Sequence, residues 1–311
     1  APGPVEFVPG DVGDPRVASL LAEADTVVHV GTGAGGTDPA GTRRLLAACQ
    51  HSTRLRRVVV RSTAAVYPAA RRDPALFVET DAGGARDRAE GWDGSWPGAG
   101  PGRDAAETEA QIRAFGRCRP DVRVTVLRLA NLVGPRVPTR LARYFGPPAV
   151  PTACGHDPRL QFLHEHDAVE VFRLAALGEH RSTVPPRADG RTPPGNDGAP
   201  WPVNVAGAGV LMLSQAIRRA GRVPLPLPGP ASTLLTGLLR RAGLAHRHAG
   251  QVADLGARLH PGGLLTVGAI VDTTRLRREF GYLPRYTSVQ AFDEFVRGQL
   301  RAGRIGWPAD V

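Results

Sequence analysis

Gly31, Gly33 and Gly36, within VVHVGTGAGG (27–36), stand at the G-x-G-x-x-G spacing. Between a strand and a helix, glycines so spaced let the backbone close on a dinucleotide pyrophosphate, whose charge then meets the free N–H groups of the helix. Here Thr37, Asp38 and Pro39 intervene before the helical pattern begins. Asp38 is a good N-cap and Pro39 a good first helical residue, so a carboxylate is expected where the anion would need to sit. The next strand pattern also ends in VVVRST, without the acidic residue that such a unit uses to hold ribose hydroxyls. The spacing is therefore read as a close-approach loop, not as a phosphate cradle.

Other chemistry-bearing groups are sparse. In HEHD (164–167), read as a strand, His164 and His166 share one face, but no third ligand accompanies them, and no metal site is expected. Asp104 with Glu107 reads as an N-cap and capping box. His29 is expected to pack behind the sheet. Cys49, Cys118 and Cys154 are an odd number at wide spacing, which gives reduced thiols and no disulfide framework.

The elements that must position these groups follow from periodicity. Strand patterns run over 5–11, 26–31, 56–63, 123–131, 201–207 and 264–272, and helical patterns over 15–23, 39–50, 104–117, 167–178, 213–221, 231–243 and 289–301. Their alternation is the signature of parallel βαβ units. Segments 83–102 and 181–200, rich in Gly, Pro and charge, read as loops. With 311 residues and 42% hydrophobic content the chain can bury a substantial core. No apolar run is long enough to cross a bilayer, no signal peptide opens the chain, and a cytoplasmic protein without membrane partners is expected. The formal charge of +10 comes from 39 basic residues that are all arginine, scattered and without interleaved aromatics, so no nucleic-acid partner is expected.

Several segments, in order, resemble one family. RSTAAVYP (61–68) is similar to the S-S-x-x-V-Y-G turn of the extended short-chain dehydrogenases, the NAD-dependent epimerase/dehydratase family. ADTVVHVGTGAGG followed by GTRRLLAACQ resembles the fourth strand and following helix of that family, and VEFVPGDVGDP its third strand. LRLANLVGP carries Arg128, Asn131 and Pro135 at the R-x-x-N-x-x-G-P positions. LQFLHEHDAVEVF ends its match at Asp167, VNVAG with LSQAI resembles the late N-x-G strand and helix, and 271–292 the closing L-G-x-x-P segment. Together they resemble the actinobacterial branch described as UDP-glucose 4-epimerase-like.

The resemblance implies an α/β fold: a Rossmann-like, doubly wound parallel sheet lacking its first two strands, with a smaller C-terminal substrate lobe. Residues 1–135, with 160–178 and 201–207 returning to it, would form the dinucleotide-binding domain, and 136–311 mainly the substrate lobe. Since the chain opens without Met and directly on a strand pattern, the first βαβ unit with its glycine loop is expected upstream of Ala1. The resemblance implies NAD or NADP as cofactor, with Asp11, Val12, Gly31, Thr32, Gly33, Ser62, Tyr67 and Leu129 beside it, Asn131 on the substrate, and a nucleotide-sugar as ligand of a possible homodimer. The sheet is then expected either to pair 5–11 directly with 26–31 or to leave 5–11 at an exposed edge.

The family's proton transfer needs a Tyr, a Lys four residues on, and a Ser or Thr. Thr63 occupies the hydroxyl position, but Pro101 and Ala105 occupy the Tyr and Lys positions. The chain has no lysine, and its four tyrosines (67, 144, 282, 286) lie elsewhere. The expected function is thus that of an epimerase/dehydratase relative with impaired or lost activity, or a non-catalytic nucleotide-sensing or partner-binding module on the same fold.

Overall fold

The computed structural model describes residues 5–12, 14–31, 38–67, 75–80, 101–137, 140–155, 157–178, 201–227 and 269–303. The elements are, in chain order, α1 (Pro15–Glu23), β1 (Thr26–His29), α2 (Pro39–Cys49), β2 (Arg57–Thr63), α3 (Pro101–Cys118), β3 (Arg123–Leu129) and β4 (Asn131–Val133). There follow α4 (Arg140–Tyr144), β5 (Ala149–Ala153), β6 (Arg159–Leu160), β7 (Phe162–His164), α5 (Glu165–Leu177) and β8 (Trp201–Val205). The last are β9 (Leu211–Met212), α6 (Leu213–Arg219), β10 (Val223–Leu227), α7 (Thr274–Arg278) and α8 (Ser288–Arg301).

The β-branched runs become a four-stranded sheet, all parallel, in the order β1-β2-β3-β8. Because side chains alternate along a strand, the inner strands β2 and β3 each feed two cores. Val58, Val60, Val124 and Val126 meet Leu45 and Leu46 of α2 and Ile112 and Phe115 of α3 on one face. Val59, Leu127, Leu129, Val203 and Val205 meet Ala168, Val171 and Ala175 of α5 on the other. Strands buried on both faces read as continuous apolar runs, which is why β2 and β3 were visible in sequence. Asp38 caps α2 as expected: its carboxylate accepts the Gly41 N–H at 3.0 Å, and Pro39 opens the helix.

Four expectations need correction. Residues 5–11 form no strand: Val5 and Phe7 are 95% and 87% exposed, and the segment leads into the Asp14 cap of α1 instead of a ladder. It therefore takes neither of its expected places in the sheet, because a lone extended segment has no partner for its N–H and C=O groups, and β1 is the sheet edge among the described residues. The expected strand 123–131 breaks at Ala130, whose N–H still bonds Val205 O, and the chain then turns to pair β4 with β7. Asp104 is not an N-cap: α3 starts three residues earlier at Pro101, which leaves Asp104 in the first turn, and Glu107 pairs with Arg43 at 3.4 Å. HEHD is not a strand, since β7 stops at His164 and α5 begins at Glu165.

The C-terminal part has its own aromatic core. Phe292 of α8 packs against Phe145, Phe162 and Phe295 with centroids 5.1, 5.1 and 5.8 Å away. Beside it β5 and β10 form a two-stranded parallel ribbon that the sequence hid, because AVPTA and VPLPL carry prolines that argue against ordinary strands. Of the expected strand 264–272 only 269–272 are described, and there Val271 bridges Phe77 in parallel. The expected helix 231–243 and loop 181–200 lie outside the described residues, as does loop 83–102 up to residue 100.

Candidate functional site

Parallel pairing places Ser62, Arg128 and Asn204 side by side across β2, β3 and β8. All three are buried, and they form a polar row across the carboxyl end of the sheet. Arg128 is 3% exposed, and its guanidinium is nearly saturated. Its Nε and Nη2 donate to the two oxygens of Glu109, on α3, at 2.9 and 2.7 Å; Nη1 donates to the Tyr67 hydroxyl and to Glu79 O, both at 2.9 Å. Ser62 Oγ donates to Glu109 at 2.7 Å, and Tyr67 passes its own proton to Asn204 Oδ1 at 2.7 Å. Glu79 Oε1 accepts the Asn204 N–H at 3.0 Å.

Burial alone would raise the Glu109 carboxyl, but the Arg128 charge and the hydrogen bonds from Arg128 and Ser62 outweigh it and hold the group below the usual carboxylate range. Burial raises Glu79. Burial also pushes the Tyr67 phenol up to about 12, against the opposing pull of Arg128.

These bonds fix what the expected site residues have to offer. Ser62 and Tyr67 hydrogen-bond inside the protein through their hydroxyls, and Leu129 is part of the core. Thr63 is half-buried, and its Oγ1 accepts the Ala65 N–H at 3.2 Å, starting the 3-10 turn Ala64–Val66. Pro101 is the first residue of α3, and Ala105, one turn on, is fully buried against the core. Asn131 donates to Gln161 O at 2.9 Å. The Asp11 carboxylate lies 3.6 Å from Arg44, largely exposed, and Val12 packs against the α2 side of the core. Gly31, two residues past the end of β1, has φ +69°, the left-handed turn that favours glycine. Thr32, Gly33 and Gly36 lie outside the described residues.

His29 packs between the sheet and α2. Its Nε2 lies 2.9 Å from Thr42 Oγ1, and the single Thr42 proton goes to Asp38 O at 2.7 Å. His29 must then be the donor, which makes it the Nε2–H tautomer. Burial lowers its pKa, partly offset by Asp38. Asp167, fully buried, accepts from the Tyr282 hydroxyl at 2.7 Å and from the N–H groups of Arg285 and Tyr286 at 2.8 and 3.1 Å, so it clamps the closing segment of the chain. His164 caps α5 through Nδ1, and its Nε2 lies 3.2 Å from Glu294 but out of line for a hydrogen bond. No group of three or more His, Cys, Asp or Glu able to hold a metal occurs among the described residues.

Sequence reading missed Glu79, Glu109 and Arg61. Glu109 had a signal, standing four residues after Ala105 on the face of α3 that Ala105 occupies. Arg61 interrupts the apolar run of β2 two residues before Thr63, and its buried Nε has no hydrogen-bond partner. A nicotinamide cofactor, implied by the family resemblance, finds no hydroxyl–lysine pair here to serve proton transfer, so no chemical step is derived through it.

A parallel sheet covered by helices on both faces, with its polar groups gathered at the strand ends, defines a Rossmann-like α/β protein. The same fold is found in MoeE5, determined with UDP-glucuronic acid and NAD (TM-score 0.58, 16% identity, 95% of this chain and 85% of that one). It is found too in the UDP-glucuronic acid 4-epimerase of Bacillus cereus with NAD (0.58, 14%, 94% and 80%) and in the UDP-glucose 4-epimerase of Thermotoga maritima with UDP-glucose (0.58, 14%, 94% and 84%). In sequence the chain is 37% identical over 310 residues to the uncharacterized protein Rv0501 of Mycobacterium tuberculosis and, equally, to Mb0513 of Mycobacterium bovis, with 96% of this chain and 72% of each relative covered. The chain belongs to the family of these mycobacterial proteins. No family model matches it. Among the described residues no helix is long and apolar enough to cross a membrane.

Proposed function

We propose that this protein is a relative of the NAD-dependent nucleotide-sugar epimerases and dehydratases, UDP-glucose 4-epimerase-like in descent, that binds a nucleotide ligand without carrying out their proton transfer. What supports this reading is the start of α3, a helix that begins at Pro101 with Ala105 fully buried one turn on, the two residues that the sequence resemblance aligns with the proton-transfer Tyr and Lys. A Pro has no proton to exchange, and an Ala supplies no cation to lower the pKa of a phenol.

Tyr67, close to Thr63, is no substitute. Its hydroxyl is held by Arg128 and Asn204, and burial keeps the phenol protonated up to about 12, far above the pH at which a general base must work. Thr63 is the sole member of the expected catalytic set present, and on its own it positions but does not transfer. What remains to such a protein is recognition of NAD, NADP or a nucleotide-sugar, hence a sensing or partner-binding role.

The test is an NAD-coupled assay of the full-length protein with UDP-glucose and UDP-galactose, run beside a thermal-shift screen with NAD, NADP and both sugars. Stabilisation without turnover is expected, since a ligand that binds only the native state raises its stability. Saturable, enzyme-dependent conversion of either sugar would overturn the reading.

A further inference from the structure

Arg61 is the one arginine that β2 places at its carboxyl end, and its surroundings make it unusual. Along β2 the side chains alternate: Val58, Val60 and Ser62 face α2 and α3, so Arg57, Val59, Arg61 and Thr63 face α5. Arg57 lies against Gly178, at the C-terminal end of α5, so α5 runs antiparallel to β2 and Arg61 lies toward its N-terminal half. In open parallel sheets the carboxyl ends of the strands are where ligands bind.

Among the described residues no hydrogen bond or ion pair holds this guanidinium, and its Nε is buried. The carboxylates of the polar row and of the start of α5 are committed elsewhere: Glu79 to the Asn204 N–H, Glu109 to Arg128, Glu165 to Arg136 at 3.1 Å, and Asp167 to the 282–286 segment. Burial lowers the Arg61 pKa, with no charged neighbour opposing it. A guanidinium nevertheless stays protonated at neutral pH, so it cannot escape by losing its charge as a lysine or carboxylate would. A buried, unpaired charge destabilises the fold that contains it unless an anion arrives to compensate.

We propose that Arg61 is a phosphate-binding residue, whose unpaired guanidinium at the carboxyl end of β2 takes the phosphate oxygens of a bound nucleotide. The planar fork of arginine matches phosphate in a two-pronged fashion, and the low dielectric around its buried edge strengthens the pairing. That the phosphate comes from a nucleotide rests on the function proposed above; the anion site itself does not.

The full-length protein and its Arg61→Met and Arg61→Lys variants are titrated calorimetrically with inorganic pyrophosphate and with ADP, and their melting temperatures are measured without ligand. Arg61→Met is expected to weaken both ligands on the order of ten- to a hundredfold, the loss of charge-assisted hydrogen bonds. Arg61→Lys is expected to fall between. Ligand-free Arg61→Met is expected to melt higher than wild type, a rise that a merely structural arginine would not give. Pyrophosphate binding that depends on Arg61, with no response to ADP, would uphold the anion site and count against the nucleotide reading, so the two fail separately. Equal affinities in wild type and Arg61→Met, no pyrophosphate binding by wild type, or a lower melting temperature for ligand-free Arg61→Met would each overturn the proposal.

Discussion

Removing Glu109 should unfold a large part of this protein's stability, and the way the loss depends on pH should reveal which half of the buried pair is responsible. Glu109→Ala takes away both acceptors of Arg128 Nε and Nη2 at 2.9 and 2.7 Å and the acceptor of Ser62 Oγ, while the guanidinium remains 3% exposed. Breaking a buried pair from one side costs about 3–5 kcal/mol, because the surviving charge is left uncompensated. Against a total stability of about 5–15 kcal/mol this is a third or more. Arginine cannot shed its proton, so the deficit of Glu109→Ala should be flat between about pH 5 and 8.

Arg128→Met differs in kind. The stranded carboxylate can take up a proton, and burial then raises its pKa above the unfolded value of about 4.3. The native state of that variant binds more protons than the unfolded chain over the window between the two values, so its stability should fall as pH rises through it. Urea denaturation at pH 5, 6.5 and 8, reading midpoints at constant slope, measures both variants. A loss below about 1 kcal/mol for Glu109→Ala, or a pH-independent loss for Arg128→Met, would refute this account of the row.

Three further outcomes follow from the same geometry. The native state holds the Tyr67 proton up to about 12, whereas an unfolded tyrosine loses it near 10, so stability present at neutral pH should drain away between those values, by about 2–3 kcal/mol; Tyr67→Phe should remove this alkaline step from the pH–stability curve. His29 has a lowered native pKa, so the unfolded chain takes the proton first as pH falls below about 6.5; the melting temperature of wild type should drop more between pH 7.5 and 5.5 than that of His29→Gln, and equal drops would contradict the assigned tautomer. A Cβ on Gly207 would sit 2.7 Å from Tyr286 O and 2.9 Å from Phe162 O, both backbone, so Gly207→Ala should cost about 1–3 kcal/mol in chemical denaturation, and a neutral result would mean that this junction is looser than it looks.

What could be read from the chain depended on how local its cause was. β2 and β3 were legible because strands buried on both faces must be apolar throughout, and α2 because Asp38 and Pro39 mark its start within two residues. By contrast, the 5–11 segment has a strand-like composition but no ladder beside it, and pairing is a tertiary fact that composition does not carry. HEHD misled because one histidine ends a strand while the next lies in a helix, so a period of two was applied across a boundary. Glu109 was invisible as a partner of Arg128 because the pair depends on the angle at which α3 crosses β3. The prolines of β5 and β10 sit in a two-stranded ribbon, the setting in which missing N–H donors are tolerated.

The polar row also bears on how the molecule comes together and comes apart. Its members, Ser62, Tyr67, Glu79, Glu109, Arg128 and Asn204, arrive from β2, the turn after it, the turn that follows the Phe77 bridge, α3, β3 and β8, with Tyr67 and Asn204 separated by 137 positions. No subset of them satisfies Arg128, so a partly assembled row exposes the chain to the desolvation of a guanidinium without its compensation. Local opening near the sheet centre is therefore as expensive as losing the whole fold. In hydrogen exchange, the amides of the inner strands β2 and β3 should share one protection factor, while those of the half-exposed β1 edge exchange sooner. Pairings this distant in sequence also place the molecule among slow folders, with the sheet closing late and in a single step.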